Sequence, residues 1–240
     1  MTQTENQVVA YDVQQGVATL TMQSAPVNAL SRALRVGLID GIENASKDES
    51  VSAIVITSAL PIFSGGADIS EFSGGDLSPM LPEVLDKIEN ANKPVIAVLP
   101  GPAFGGGLEV ALACHHRITF ADNKVGLPEV NLGILPGAGG TQRLPRLADA
   151  QTALTMIASG KPTSVLKLPG VFDKISDKPE HLLEDTKAYL ASLTADNAIK
   201  RTCDITLSMT DEVQAVFDAV TAQTKKAARG FFAPLKCIEA

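Results

Sequence analysis

Short apolar runs that alternate with amphipathic stretches at helical spacing constrain this chain more than any other feature. Val51–Thr57 and Pro94–Leu99 are almost continuously apolar, and between them Leu81, Val84, Leu85 and Ile88 recur at the period of a helix. A strand apolar on both faces must be covered on both, and covered strands separated by helices call for parallel pairing through crossover connections. Earlier in the chain, Val17–Met22 alternates apolar and polar residues behind the turn-prone Gln14-Gln15-Gly16, so Gln7–Val13 is expected to pair with it as a hairpin. Ser31 is a candidate N-cap for a helix carrying Leu34, Leu38, Ile39 and Ile42 and ending near Lys47. After Pro94–Leu99 come a helical run, Leu108–Cys114, and strand-like pieces at Arg117–Phe120 and Lys124–Gly126.

From Ala148 onward the pattern is helical, with helices expected over Asp149–Ser159, Pro179–Leu193 and Asp211–Arg229; Pro162–Pro179 is the stretch of weakest periodicity. The expected architecture is α/β, with a core domain over residues 1–175 and a C-terminal helical region, 176–240, packed on it. A length of 240 residues is within reach of a single α/β domain, and 45% hydrophobic residues supply its core.

Charge and composition exclude several classes of function. A net charge of −7 without a basic stripe argues against a nucleic-acid partner, because nothing is present to displace counterions from phosphates. Lys225-Lys226 reads as a solvated helix face. Met1–Gln7 has neither the basic nor the apolar segment of an export signal, and no stretch is apolar for 18 residues, so neither secretion nor a membrane span is expected. Cys114, Cys203 and Cys237 are odd in number, widely spaced and without a Cys-x-x-Cys pair, which predicts reduced thiols in the core.

Three glycine-rich segments carry the chemistry: Ser64–Asp68, Gly101–Glu109 and Pro136–Thr141, each behind a strand. None fits the phosphate loop G-x-x-x-x-G-K-[ST] or the dinucleotide fingerprint. The second places glycines at the entrance of a helix, where free N–H groups and the positive end of the dipole could hold an oxyanion together with the backbone of Gly66-Ala67-Asp68. Taken singly, each loop is explained equally well by tight turns and close helix-to-sheet packing. Two acids beside these loops shift the balance: Glu109 in the apolar run Leu108–Cys114, and Glu129 in Gly126–Leu132. Neither has a packing reason to be there. Cys114, His115 and His116 suggest no metal site, since adjacent residues on a helix point to different faces and no further ligand cluster accompanies them.

Phe63–Ile69, Gly101–Cys114 and Gly126–Leu144 together resemble the enoyl-CoA hydratase/isomerase (crotonase) family in order and spacing, over about Val8–Asp173. Cys114–Arg117, Val125–Glu129 and the ending Ala233–Ala240 resemble in particular the N-terminal hydratase domain of peroxisomal-type multifunctional β-oxidation enzymes. The resemblance implies a spiral of repeated ββα units and an acyl-CoA thioester substrate, with coenzyme A entering as part of the substrate and no separate cofactor. It assigns the oxyanion donors to the N–H groups of Ala67 and Gly106, substrate contacts to Gly66, Asp68, Ile69 and Gly137, water activation to Glu109 and the C2 proton to Glu129. Arg32, Lys225 and Lys226 are candidate partners for the anionic coenzyme. It further implies a cytoplasmic or, in a eukaryote, peroxisomal location, a homo-oligomer, and a 3-hydroxyacyl-CoA dehydrogenase module as fused or separate partner. For one glutamic acid to be half protonated at neutral pH its pKa must rise by nearly 3 units, roughly 4 kcal/mol, which burial and a like charge can supply. Relatives of this kind also include Δ3-Δ2 enoyl-CoA isomerases, thioester hydrolases and catalytically silent binding proteins. One departure is that the chain between Gly160 and Gly170 is about two residues short, so a distorted helix is expected there.

Overall fold

The computed structural model describes residues 8–74, 77–228 and 230–240, leaving aside the side chains of 72 and 73. The segment Met1–Gln7, whose last residue was the expected start of the first strand, and the expected helix end Arg229 lie outside these residues.

The chain begins with the hairpin that its alternation predicts. Strands β1 (Val9–Gln14) and β2 (Val17–Met22) pair antiparallel from Val9↔Met22 to Gln14↔Val17. Gln15 (φ 51°) and Gly16 (φ 78°) turn the corner, both in the left-handed region that suits two-residue hairpins. From β2 the pairing becomes parallel, through β4 (Ala53–Ser58), β6 (Val95–Val98), β8 (His116–Phe120) and β11 (Lys174–Ser176). The six-stranded order is β1-β2-β4-β6-β8-β11.

Helices cover both faces. Helix α1 (Arg32–Lys47), capped by Ser31 as expected, buries Leu34, Leu38 and Ile42 on the face carrying Leu20, Ile54 and Ile56. On that side lie also α2 (Leu81–Glu89) and α3 (Gly106–Ala113), every residue of α3 being buried. The other face, with Val55, Ile96, Val98 and Ile118, is covered by Leu182, Tyr189 and Leu190 of α6 (Leu182–Ser192). Helices α5 (Ala150–Ser159), α7 (Asp211–Ala228) and α8 (Ala233–Glu239) meet through Leu154, Val220 and Ile238 in a separate cluster.

Several elements differ from expectation. The two-residue strands β3 (Ala29–Leu30), β5 (Gly66–Ala67), β7 (Ala103–Phe104) and β10 (Thr163–Ser164), with β9 (Lys124–Gly126), form two small sheets, β10-β9-β7 and β3-β5. Helix α4 (Gly140–Leu147), which is not among the expected helices, carries Pro145 inside it. The region after Ala148 is not wholly helical, since β11 completes the main sheet. In the short stretch after Gly160, a 3-10 turn, Val165–Lys167, replaces the expected helix, with Val165, Leu168 and Val171 buried. His115 and His116 lie beyond α3, which Cys114 caps, and not on a helix. Cys203 is exposed, whereas Cys114 and Cys237 are buried.

Candidate active site

The first two glycine segments meet at one point. β5 and the entrance of α3 approach so closely that a Cβ on Gly66 would lie 2.8 Å from the Phe104 carbonyl oxygen and 3.3 Å from the Gly106 nitrogen. Gly66 also stands at φ 99°, so glycine is required twice over. A Cβ on Gly106 would in turn lie 3.5 Å from the Ala67 nitrogen. Gly106 opens α3, where backbone N–H groups lack helical partners, and Ala67 is exposed. The juxtaposition expected of Ala67 and Gly106 is therefore present.

Around this point lie the other expected residues. Asp68 caps the 3-10 turn Ile69–Ser73, accepting from the Ser70 N–H at 3.0 Å, and Ile69 is exposed. A recess of about 70 Å³ beside Ala67 and Asp68 is walled by Leu30, Leu77, Met80 and Leu81. Gly137 is exposed, and a Cβ there would meet only the Leu135 carbonyl, at 3.9 Å. Arg32 begins α1, its N–H bonded to Glu71 Oε1 at 2.6 Å, while Lys225 and Lys226 are exposed in the last turn of α7.

Glu109 is held by α3 and Glu129 by the 3-10 turn Pro128–Leu132. Glu109 is 2% exposed. Its Oε1 accepts two backbone hydrogen bonds, from Ala138 at 2.9 Å and Gly140 at 2.8 Å. Burial pushes its carboxyl up, against these N–H groups and the charge of Arg143, which favour the ionised form. Glu129 sits against Gly105, where a Cβ would stand 3.1 Å from its Oε1. Its Oε2 is buried with no hydrogen-bond partner. Burial pushes Glu129 up to about 7, its own backbone N–H opposes this, and the Glu109 charge adds to it. Two coupled carboxyls thus share the site, one clamped by donors and one left with a bare oxygen.

Sequence reasoning missed the donors. The turn Pro136–Thr141 reads as a ligand loop, yet its N–H groups point at Glu109. The signal available was a glycine-rich turn leading into a helix, where amides converge on a negative charge.

Comparison with known proteins fits this geometry. The profile of the Enoyl-CoA hydratase/isomerase family matches residues 12–234. The chain is 42% identical over 233 residues to the peroxisomal bifunctional enzyme of Danio rerio, covering 95% of this chain and 32% of that protein. It thus spans about a third of the length of the bifunctional enzymes it matches. A Bacillus subtilis (strain 168) protein named "Probable enoyl-CoA hydratase" is 42% identical over 193 residues, 76% of this chain and 74% of its own. The structure of enoyl-CoA hydratase from Bacillus anthracis superimposes with a TM-score of 0.70 at 26% identity, covering 97% of this chain and 88% of that one. The chain has the crotonase fold and belongs to the enoyl-CoA hydratase/isomerase family.

Proposed function

We propose that this chain hydrates 2-enoyl-CoA thioesters. The observation that carries the reading is the pair of coupled carboxyls, Glu109 buried and Glu129 partly buried, beside the converging backbone of Ala67 and Gly106. In this reading the thioester oxygen lies on the Ala67 and Gly106 N–H groups, which stabilise the enolate formed as water adds to C3. Water gives a proton to Glu109 at Oε2, because both donors occupy Oε1. Glu129 gives its proton to C2, and a carboxyl with a pKa of about 7 is half protonated at neutral pH, near the optimum for an acid catalyst. Proton exchange with solvent after product release restores the pair. Asp68, Ile69, Gly66 and Gly137 are the backbone contacts proposed along the substrate, and Arg32, Lys225 and Lys226 the proposed phosphate partners.

The presence of both acids favours hydration over Δ3-Δ2 isomerisation, which by resemblance depends chiefly on the acid at Glu129 and is the second activity proposed. Names of relatives support a role in peroxisomal β-oxidation if the source is a eukaryote. The test is a spectroscopic hydration assay with 2-enoyl-CoA substrates from C4 to C16, with a 3-enoyl-CoA as control. Turnover of the 2-enoyl series at a kcat above about 1 per second supports the reading, since typical enzymes lie between 1 and 10³ per second. Isomerisation without hydration overturns it.

A further inference from the structure

The third glycine loop is held from behind by a buried ion pair that belongs to no substrate contact. Arg143, on α4, folds back across the turn and donates from Nη1 to the Ala138 carbonyl at 2.9 Å. Its Nη2 and Nε meet Glu89 Oε2 at 2.6 and 3.2 Å. Glu89 ends α2 and is 3% exposed, and its other oxygen, Oε1, accepts the Cys203 N–H at 3.0 Å. Glu89 is therefore fully paired, and it fixes the Arg143 fork in one place.

The sequence of the turn is shaped around this fork. Gly139 stands at φ 98°, and a Cβ there would lie 2.6 Å from Arg143 Nη1. A Cβ on Gly140 would lie 3.0 Å from both Glu109 Oε1 and Pro136 Cβ. Side chains at these positions would displace either the guanidinium or the carboxylate. The Ala138–Gly139 peptide lies between the two peptide planes that donate to Glu109, and Arg143 anchors its carbonyl. Arg143 is not among the proposed substrate contacts, yet it bonds the peptide that links the two donors.

We infer that Arg143, fixed by Glu89, is a positioning residue for hydration: it holds the Ala138–Gly140 turn as a two-donor clamp on Glu109 Oε1, so that Oε2 alone faces the water. The inference rests on the hydratase reading of Glu109. A misplacement of about 1 Å in a catalytic group can cost about 10²-fold in rate, so the clamp acts on kcat and leaves substrate affinity alone.

The experiment is a kinetic double-mutant cycle on the full chain. Arg143→Lys keeps a charge opposite Glu89 but cannot reach Glu89 and the Ala138 carbonyl as a fork does. The double variant Glu89→Gln/Arg143→Gln removes the pair without leaving a lone buried charge. Each is expected to lower hydration kcat about 10- to 100-fold with KM changed less than about 3-fold, and Arg143→Lys to melt near the parent temperature. Added to Glu109→Gln, Arg143→Lys is expected to lower the residual rate less than about 3-fold, because the group it positions is already gone. A kcat within about 3-fold of the parent in both variants overturns the inference, as does a loss that multiplies in full in the Glu109→Gln background. Parent-like hydration by Glu109→Gln itself instead overturns the hydratase reading, and the clamp with it.

Discussion

Two of the ionic clusters buried among the described residues are built on opposite principles. At the edge of the main sheet, the Asp173 side chain is 17% exposed and collects Arg117, His116 and Lys200. The Arg117 N–H donates to its Oδ2 at 2.9 Å, and the Arg117 guanidinium donates to the Val171 and Cys114 carbonyls, each at 2.6 Å. His116 Nε2 donates to the Ala198 carbonyl at 3.0 Å, and its Nδ1 stands 2.8 Å from the Tyr189 hydroxyl and 3.5 Å from Asp173 Oδ1. Burial opposes the Asp173 charge, but His116 and Arg117 hold its pKa below the ordinary value. At the glycine loops, by contrast, both glutamates are pushed up, and Glu129 Oε2 has no partner at all. A satisfied cluster ties elements together, whereas an unsatisfied one keeps reactivity available at a cost in stability.

The largest expected effect breaks the second cluster. Glu109→Gln and Glu129→Gln are each expected to lower hydration kcat by about 10²- to 10⁴-fold, the range of general acid–base catalysis, with a circular dichroism spectrum like the parent's. Both carboxyls carry that expectation only if the pair works as a unit. Near-parent turnover in either purified variant removes that glutamate from the mechanism.

Next in size is the opposite experiment on the first cluster. Asp173→Ala leaves Arg117 buried beneath the sheet edge without its carboxylate, and is expected to cost about 3 kcal/mol in urea unfolding. Its kcat, in whatever fraction remains folded, is expected to stay within about 3-fold of the parent. A kcat loss matching that of the glutamates would mean that the two clusters are coupled.

What the sequence makes legible divides along the same line. The strands of the main sheet up to β8, and α1, α2 and α3, follow from apolar runs and helical spacing, because each buries a wide face. Glu109 and Glu129 stand out as acids in apolar runs, and the convergence of two glycine loops follows from their places behind two strands, while its assignment to Ala67 and Gly106 comes from the family resemblance. Hidden are the contacts between residues far apart in sequence: Glu89 with Arg143 and Cys203, or Arg117 with Asp173. Arg35 is another case, a buried cation that gathers the carbonyls of Leu30, Leu77 and Pro79 together with Glu71. A charged residue carries no periodic signal of its partner. The two-residue strands are hidden for a related reason, being set by the tertiary packing of the glycine loops and too short to show a period.

The smallest effect sharpens the comparison through pH. The folded pKa of Glu129, about 7, exceeds its ordinary value of 4.5, so the folded state binds the extra proton between those values and stability falls as pH rises across that window. At 1.36 kcal/mol per pH unit the penalty above pH 7 is at most about 3 kcal/mol, and partial solvent access reduces it to about 1 to 2. Glu129→Gln has no such proton to lose. It is expected to be more stable than the parent by about that amount at pH 8 and to converge on it near pH 4.5, as read from urea unfolding at each pH. In the parent, kcat for hydration is expected to fall on the alkaline side with a midpoint near 7, as the acid at Glu129 loses its proton. Asp173 gives the mirror image: its lowered pKa contributes stability above the ordinary carboxylate range that is lost only as the solution is acidified. A Glu129→Gln variant no more stable than the parent at pH 8 would mean that the bare oxygen is solvated in the folded protein, and that its strained environment is not what the site trades for activity.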